Sequence, residues 1–159
     1  MLAAGIVSSS LLLAPVPSLS IELGAMAAVS PWRPAPAISV AARWPFSPKW
    51  SASAALSSWT LGSGDGTHDA RTELGLMLAP EFTTTFSETL GMRIALGPAL
   101  LWHGAAMGES GFGWGGALAP DLLVGTRRRS LVFGAGPRLW ITSEGSRVGV
   151  VGVLSYGFH

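Results

Sequence analysis

The sequence predicts an all-β fold: an eight-stranded, antiparallel, up-and-down β-barrel that crosses a membrane with its strands. Bulky apolar residues alternate with small or polar ones in almost every stretch after about residue 18, which is the two-residue period of a β-strand. Charged residues make up 12% of the chain, about half of the share that is usual in soluble globular proteins. The mean hydropathy is +0.44, yet no stretch after residue 22 is apolar for long enough to form a membrane-spanning helix.

The clearest alternation lies in the predicted fifth strand. One parity of this strand carries bulky apolar residues, and the other carries Arg93 and His103 among small residues. In a soluble sheet the apolar face would need a cover, but the sequence contains no amphipathic helix to provide one. We therefore expect the apolar face to meet lipid and the other face to line a closed barrel. The apolar residues of this strand are Leu90, Met92, Ile94, Leu96, Pro98, Leu100 and Trp102.

The first four strands are predicted at residues 19–29, 37–44, 49–61 and 71–82. A proline-rich loop follows the first strand, a second proline-rich turn follows the second, and the polar run 62–69 separates the third from the fourth. The third strand has the weakest alternation, because serine and alanine occupy both parities. The threonine run 83–85 is predicted as the next turn.

The last four strands are predicted at residues 88–103, 112–126, 130–142 and 147–158. A glycine-rich loop, an arginine-rich turn at 127–129 and a tight hairpin at 143–146 connect them. The even strand count puts both chain ends on the same side. The longer connections after the third and fifth strands are typical of the outer loops of such barrels.

Four prolines fall on the outward parity, each directly after a small residue: Pro80, Pro98, Pro120 and Pro137. Proline inside a paired strand removes a ladder hydrogen bond. Two outcomes stay open, namely that the strands bulge at these positions or that they end sooner. A membrane-crossing strand needs only about 9–11 residues, so a break would be tolerated.

The inward parity gathers four acids and four arginines. Because the interior of an eight-stranded barrel is just wide enough for side chains, these charges must pair with one another. The sequence therefore predicts an interior polar network that plugs the barrel. A narrow polar channel is the alternative, since glycine and alanine at many inward positions leave room for water. The network residues are Glu22, Arg43, Glu73, Glu81, Arg93, Asp121, Arg138 and Arg147.

Aromatic residues near the strand ends fall on the outward parity, where membrane barrels carry their interfacial girdles. They are Trp44, Trp102, Trp114, Tyr156 and Phe158. The alternative is a soluble, lipocalin-like binder, in which the apolar parity would point inward and the arginines outward.

Several other functions find little support in the composition. The net charge is +1 and no basic patch is interleaved with aromatic residues, so no nucleic-acid partner is expected. The chain has no cysteine for disulfides or thiolate sites. The three histidines, His68, His103 and His159, lie far apart in sequence, and we expect neither a metal site nor a cofactor.

The alternation, the even strand count and the final strand 150–158 resemble the small outer-membrane β-barrel proteins. This is the eight-stranded class typified by the outer-membrane protein A transmembrane domain. The resemblance covers roughly residues 18–159. It implies a monomer in the outer membrane of a Gram-negative cell envelope, with a structural or loop-mediated role. It also implies two partners, the membrane lipid and the barrel-assembly machinery, which recognises a terminal aromatic such as Phe158; here His159 follows it.

Some barrels of this class modify lipid A, and the residues around His103 bear on such an activity. His103 precedes a loop that contains Glu109 and Ser110, the residue types of a hydrolase triad. Lipid A deacylases of this fold carry a His-x-Ser-Asn motif, whereas here His103 is followed by Gly-Ala-Ala. We therefore expect no enzyme and no catalytic residue.

The first 17 residues are predicted to lie outside the barrel domain, which we place at residues 18–159. This segment is uncharged and contains Leu11-Leu12-Leu13-Ala14, which resembles the apolar region of a secretory signal, but Pro15 and Pro17 interrupt it. A signal-peptide remnant or a short N-terminal extension is expected, and an interior plug is the further alternative.

Overall fold

The chain forms a closed barrel of eight antiparallel strands in a computed structural model, which describes residues 17–29, 33–61, 71–105, 110–125 and 131–158. Each strand pairs with its chain neighbours, and β1 pairs with β8 to close the barrel. The predicted eight-stranded antiparallel up-and-down barrel is confirmed. The strands are β1 Ser18–Ala28, β2 Arg33–Pro45, β3 Trp50–Leu61, β4 Arg71–Thr85, β5 Leu90–Ala105, β6 Gly111–Gly125, β7 Leu131–Thr142 and β8 Gly145–Gly157.

Among these residues, no helix is long and apolar enough to cross a membrane. The N-terminal segment of the sequence prediction lies outside the described residues, apart from Pro17.

The two rims of the barrel carry different connections. The terminal rim holds the start of β1, the end of β8, the connections at 46–49 and 86–89, and the strand ends that face each other at Gly125 and Leu131. The loop rim holds the ends of β1, β3, β5 and β7, the starts of β2, β4, β6 and β8, and the hairpin residues 143–144. We followed the paired residues from β1 around the barrel and back to β1. The path ends about ten residues closer to the loop rim than it began. Such a stagger inclines the strands by about 40° to the barrel axis.

Two strand boundaries differ from the sequence prediction by more than two residues. β2 begins at Arg33 instead of residue 37, because Pro34 and Pro36 pair with β1 while the ladder to β3 starts only at Ala37. The threonine run 83–85, predicted as a turn, belongs to β4 and pairs with residues 91–93 of β5. Threonine is β-branched and favours a strand, which explains why the alternation continues through it.

Two turns of the terminal rim share one design that starts from a Phe-Ser pair. Ser47 Oγ accepts the backbone N–H of Trp50 at 3.1 Å, and Ser87 Oγ accepts the backbone N–H of Leu90 at the same distance. The backbone N–H groups of Phe46 and Phe86 donate to the carbonyls of Trp50 and Leu90. The sequence thus repeats a turn, Phe-Ser-x-x followed by a bulky apolar residue, that our sequence analysis did not find.

All four strands with central prolines run through them without a bulge. Between β4 and β5 the register continues unchanged from Met77↔Ala99 to Glu81↔Ala95, and only the three pairs between them are missing. Both outcomes left open by the sequence, a bulge or an earlier strand end, are wrong. Proline lacks the N–H that a ladder needs, so the pairing lapses while the backbone stays extended.

The same lapse occurs between β6 and β7, where three pairs are missing between Leu118↔Leu139 and Leu122↔Ala135. Pro120 and Pro137 stand opposite each other at its centre. On their other sides these prolines keep their partners, Ile94 and Val150. The interface between two paired strands is here called a seam. The N–H donors that the four prolines lack therefore belong to two seams, β4/β5 and β6/β7.

The barrel interior is lined mostly by small side chains. Alanine, serine and glycine occupy most inward positions, and the larger apolar residues there include Met26, Met77 and Leu101. Leu101 is fully buried. This filling suits an eight-stranded barrel, whose interior has room for side chains but not for a second layer of structure.

Candidate functional site

Six of the eight predicted inward charges form a closed ring of ion pairs, here called the interior ring. Every arginine of the ring lies between two acids, and every acid lies between two arginines. All six side chains are buried, with residue exposures between 3% and 7%. In order around the ring they are Glu22 of β1, Arg43 of β2, Glu81 of β4, Arg93 of β5, Asp121 of β6 and Arg138 of β7.

One half of the ring is centred on Arg43. Its Nε donates to Glu81 Oε2 at 2.8 Å, and its Nη2 lies 3.6 Å from Glu22 Oε1. Its third nitrogen, Nη1, donates to Ser20 Oγ at 2.6 Å. The contact to Glu81 reaches across β3, which contributes serines rather than charges to the interior.

The other half joins Arg93 and Arg138 through Asp121. Arg93 Nη2 lies 2.6 Å from Asp121 Oδ2, and Arg138 Nη1 lies 2.6 Å from Asp121 Oδ1. Arg138 Nη2 closes the ring at 3.0 Å from Glu22 Oε2, reaching across β8, while Arg93 Nε lies 3.7 Å from Glu81 Oε2. Three carboxylates and three guanidinium groups balance, so each buried charge has opposite charges on both sides.

The remaining two predicted charges, Glu73 and Arg147, lie near the loop rim in a separate group, here called the loop-rim cluster. Arg147 binds both carboxylate oxygens of Glu73, with Nε–Oε2 and Nη2–Oε1 distances of 2.7 Å. Trp59 Nε1 donates to Glu73 Oε2 at 2.6 Å, and Arg71 Nε lies 3.2 Å from Glu73 Oε1. The eight charges thus form two clusters rather than one network.

A pair of tryptophans lies beneath this cluster. The rings of Trp59 and Trp140 meet edge to face with their centroids 5.7 Å apart, and both residues are buried. Our sequence analysis missed both. Trp140 shares its parity with Arg138, which could have placed it inside. Trp59 lies in the strand whose alternation was weakest.

His103 also faces the interior at the loop rim. It is 8% exposed, and its Nδ1 lies 3.8 Å from Oε2 of Glu144, a residue of the β7–β8 hairpin. Glu144 Oε2 also lies 3.7 Å from Arg71 Nη2. Of the two loop residues considered with His103 for catalysis, Glu109 lies outside the described residues, and Ser110 is exposed. Within the described ranges, no group of three His, Asp or Glu side chains is arranged to hold a metal.

A small cavity lies between the interior ring and Trp140. It measures about 20 Å³, and Glu22, Glu81, Asp121, Arg138 and Trp140 are among its lining residues. A cavity needs roughly 10–15 Å³ to hold one water molecule, so this one has room for one or two.

The outer surface carries the aromatic residues. The five that the sequence analysis named are between 43% and 71% exposed: Trp44, Trp102, Trp114, Tyr156 and Phe158. Trp102 and Trp114 lie towards the loop rim, and the other three lie at the terminal rim. The terminal rim also holds aromatic residues that the sequence prediction did not place in the girdle, namely Phe46, Trp50, Phe82, Phe86 and Phe133.

Between these aromatic residues lies a belt of exposed aliphatic side chains, including Leu23, Leu96 and Val150, each at least 60% exposed. β1, the shortest strand, has 11 residues. At about 3.3 Å per residue and a tilt of about 40°, it covers roughly 25 Å along the barrel axis. This matches the height of the apolar band in transmembrane barrels.

No protein-family model and no curated protein matches the sequence. Several solved structures match the fold. Neisserial surface protein A (NspA) is 6% identical with a TM-score of 0.67, covering 89% of this chain and 96% of its own. Ail, the attachment invasion locus protein of Yersinia pestis, is 12% identical with a TM-score of 0.57, covering 89% and 95%.

The structure of Ail as an outer membrane protein in a phospholipid bilayer nanodisc is 14% identical with a TM-score of 0.56, covering 89% of this chain and 99% of its own. At these identities the likeness concerns the fold alone. The chain has the fold of the small eight-stranded outer-membrane β-barrels.

Proposed function

We propose that this protein is a monomeric outer-membrane barrel that acts as a structural or loop-mediated interaction protein, with its interior plugged by ion pairs. The observation that carries the proposal is the closed interior ring of six buried, alternating charges. An axial pathway for solutes would have to pass this ring. All six side chains of the ring are buried, which favours a plug over the alternative of a small channel.

The location in the membrane is supported by the outer surface. Exposed leucine, isoleucine and valine form a belt about as tall as the hydrocarbon core that a barrel must cross, with aromatic residues towards both rims. A soluble lipocalin-like barrel would have the opposite arrangement, with charges outside and the apolar face inside. Membrane lipid is therefore the partner proposed for the outer surface.

The interaction role is assigned to the loop rim. The polar segment 62–69 connects β3 with β4, and the strand ends that it joins lie at this rim, away from the start of β1 and the end of β8. The structural match with Ail, whose name describes attachment and invasion, supports a role at the cell surface. The barrel-assembly machinery is proposed as the second partner, because β8 is followed by the outward aromatic Phe158.

Conductance in planar bilayers tests the plug. We expect no channel openings from the native protein and openings from the Arg138→Ser/Glu22→Ser variant, which removes two adjacent members of the ring. Arg71→Ser, a change of an arginine outside the ring, is the matched control and is expected to stay silent. Steady conductance of the native protein would overturn the plug.

Folding in detergent and the lipid chemistry test the other parts. The native barrel is expected to migrate differently on a gel before and after heating, and to sediment as a single copy. A chain that folds as a soluble monomer without detergent would contradict the membrane location.

The mass spectrum of lipid A is expected to be the same with and without the protein, and a changed spectrum would support a lipid-modifying enzyme instead.

Replacing residues 63–69 with a Gly-Ser linker of equal length tests the loop role. If the native protein lets cells adhere to a surface, cells with this variant are expected to lose that adhesion. The gel shift on heating is expected to stay unchanged. Equal adhesion would contradict a role for this loop.

A further inference from the structure

The pairing is interrupted between β4 and β5 and between β6 and β7, and the second interruption disrupts a single residue pair more completely. Hydrogen-bonded and non-hydrogen-bonded pairs alternate along an antiparallel ladder. Pro120 faces Pro137 at the centre of three missing pairs, so a single hydrogen-bonded pair loses both of its N–H donors. Between β4 and β5, by contrast, Pro80 and Pro98 lie opposite Leu96 and Leu78, so each pair keeps one donor.

Side chains of the interior ring bridge the β6/β7 lapse. Asp121 and Arg138 directly follow the two prolines and both point inward. Arg138 Nη1 donates to Asp121 Oδ1 at 2.6 Å and to the carbonyl of Pro137 at 3.1 Å. In a regular ladder, the N–H of residue 120 would donate to this carbonyl, but proline has no N–H. An ion pair thus takes the place of backbone hydrogen bonds at this point in the wall.

The interior cavity lies directly behind the same place. β6 and β7 supply half of its lining, through Ala117, Leu118, Ala119, Asp121, Arg138 and Trp140. The one described pair that lacks both of its N–H donors therefore lies where the interior has free space.

We propose that the β6/β7 seam is a lateral opening of the barrel, held closed by the Asp121–Arg138 ion pair. Opening it would connect the interior cavity with the surrounding lipid, sideways rather than along the axis. This proposal does not rest on the function assigned to the loop rim, and it holds whether or not the barrel conducts along its axis.

Amide hydrogen exchange of the native barrel in lipid nanodiscs tests the seam. The reporters are the amides that flank the lapse, those of Leu118, Leu122, Ala135 and Leu139. The amides of Ile21 and Leu23 are the reference, because β1 is paired along its whole length on both sides. We expect the seam amides to exchange about tenfold faster, as the loss of neighbouring hydrogen bonds allows local opening. Equal exchange would overturn the proposal.

Three variants separate the seam from the ring. Pro120→Ala/Pro137→Ala restores both donors and is expected to slow the seam amides to the β1 rate. Asp121→Asn weakens the ion pair and should accelerate them about tenfold. Glu81→Gln, the matched change elsewhere in the ring, should leave them unchanged. No response to the proline replacements would contradict the seam, even if Asp121→Asn fails to fold.

Labelling from the lipid phase tests the connection to the cavity. The chain has no native cysteine, so Ala119→Cys introduces a single thiol behind the seam. We expect a membrane-dissolved maleimide to label it about tenfold faster in the Asp121→Asn background, and at the native rate in the Glu81→Gln background. Equal labelling in both backgrounds would overturn the lateral opening.

Discussion

Arg147 of β8 holds the carboxylate of Glu73 of β4 in a two-point ion pair, with both nitrogen–oxygen distances at 2.7 Å. The two strands are not neighbours, so this contact spans the barrel beneath the loop rim. Glu73 is fully buried, and Trp59 donates a further hydrogen bond to it. The pair is charge-assisted and has little access to water, which are the conditions in which an ion pair contributes most.

Breaking this pair on one side is expected to destabilise the barrel strongly. Arg147→Met leaves a buried carboxylate with only Trp59 and the partly exposed Arg71, and should lower the free energy of unfolding by about 3 kcal/mol. Urea unfolding in lipid vesicles, followed by tryptophan fluorescence, measures it. Replacing both partners, in Arg147→Met/Glu73→Leu, should recover most of the loss. A double variant as unstable as the single one would contradict this account.

The tryptophan pair depends on a glycine. A Cβ at Gly75 would lie 2.6 Å from Trp140 Cη2, closer than real contacts allow, and 3.0 Å from Trp59 Cη2, which is tight. Gly75→Ala should therefore lower the free energy of unfolding by about 1–3 kcal/mol. Gly152→Ala is the control, because its Cβ would meet nothing nearer than the Leu23 carbonyl at 3.7 Å. Equal losses in the two variants would show that packing against the tryptophans is not the cause.

Parity in the sequence was enough to predict the strand number, the antiparallel order and the face of each charge. It could not assign partners, because these depend on the stagger between strands. The contacts Arg43–Glu81 and Arg138–Glu22 each pass over a strand that carries no charge in the ring. Nor could parity show which seam loses a proline's donor, since the direction of each N–H follows from the register. Trp59 was missed because its strand has small residues on both faces.

The two Phe-Ser turns of the terminal rim should each depend on their serine. Ser47→Ala and Ser87→Ala remove the acceptor for two backbone N–H groups apiece, those of residues 49–50 and 89–90. Since the turns are exposed and water can replace the hydroxyl, each change should cost about 0.5–1 kcal/mol in the same unfolding assay. Lys49→Ala keeps the backbone bonds and should be neutral. A loss equal to that of Ser47→Ala would contradict the role of the hydroxyl.

The outer belt predicts a penalty for charge that depends on depth. Leu96 is 61% exposed in the middle of β5, while Phe46 is 67% exposed in a turn of the terminal rim. If lipid surrounds the belt, Leu96→Arg should cost about 2–4 kcal/mol and Phe46→Arg about 0–1 kcal/mol, because only the first guanidinium would face hydrocarbon. Unfolding titrations in vesicles give both values. In water the two positions would differ little, since both are already exposed. Similar small losses for the two variants would therefore argue that the belt does not face lipid.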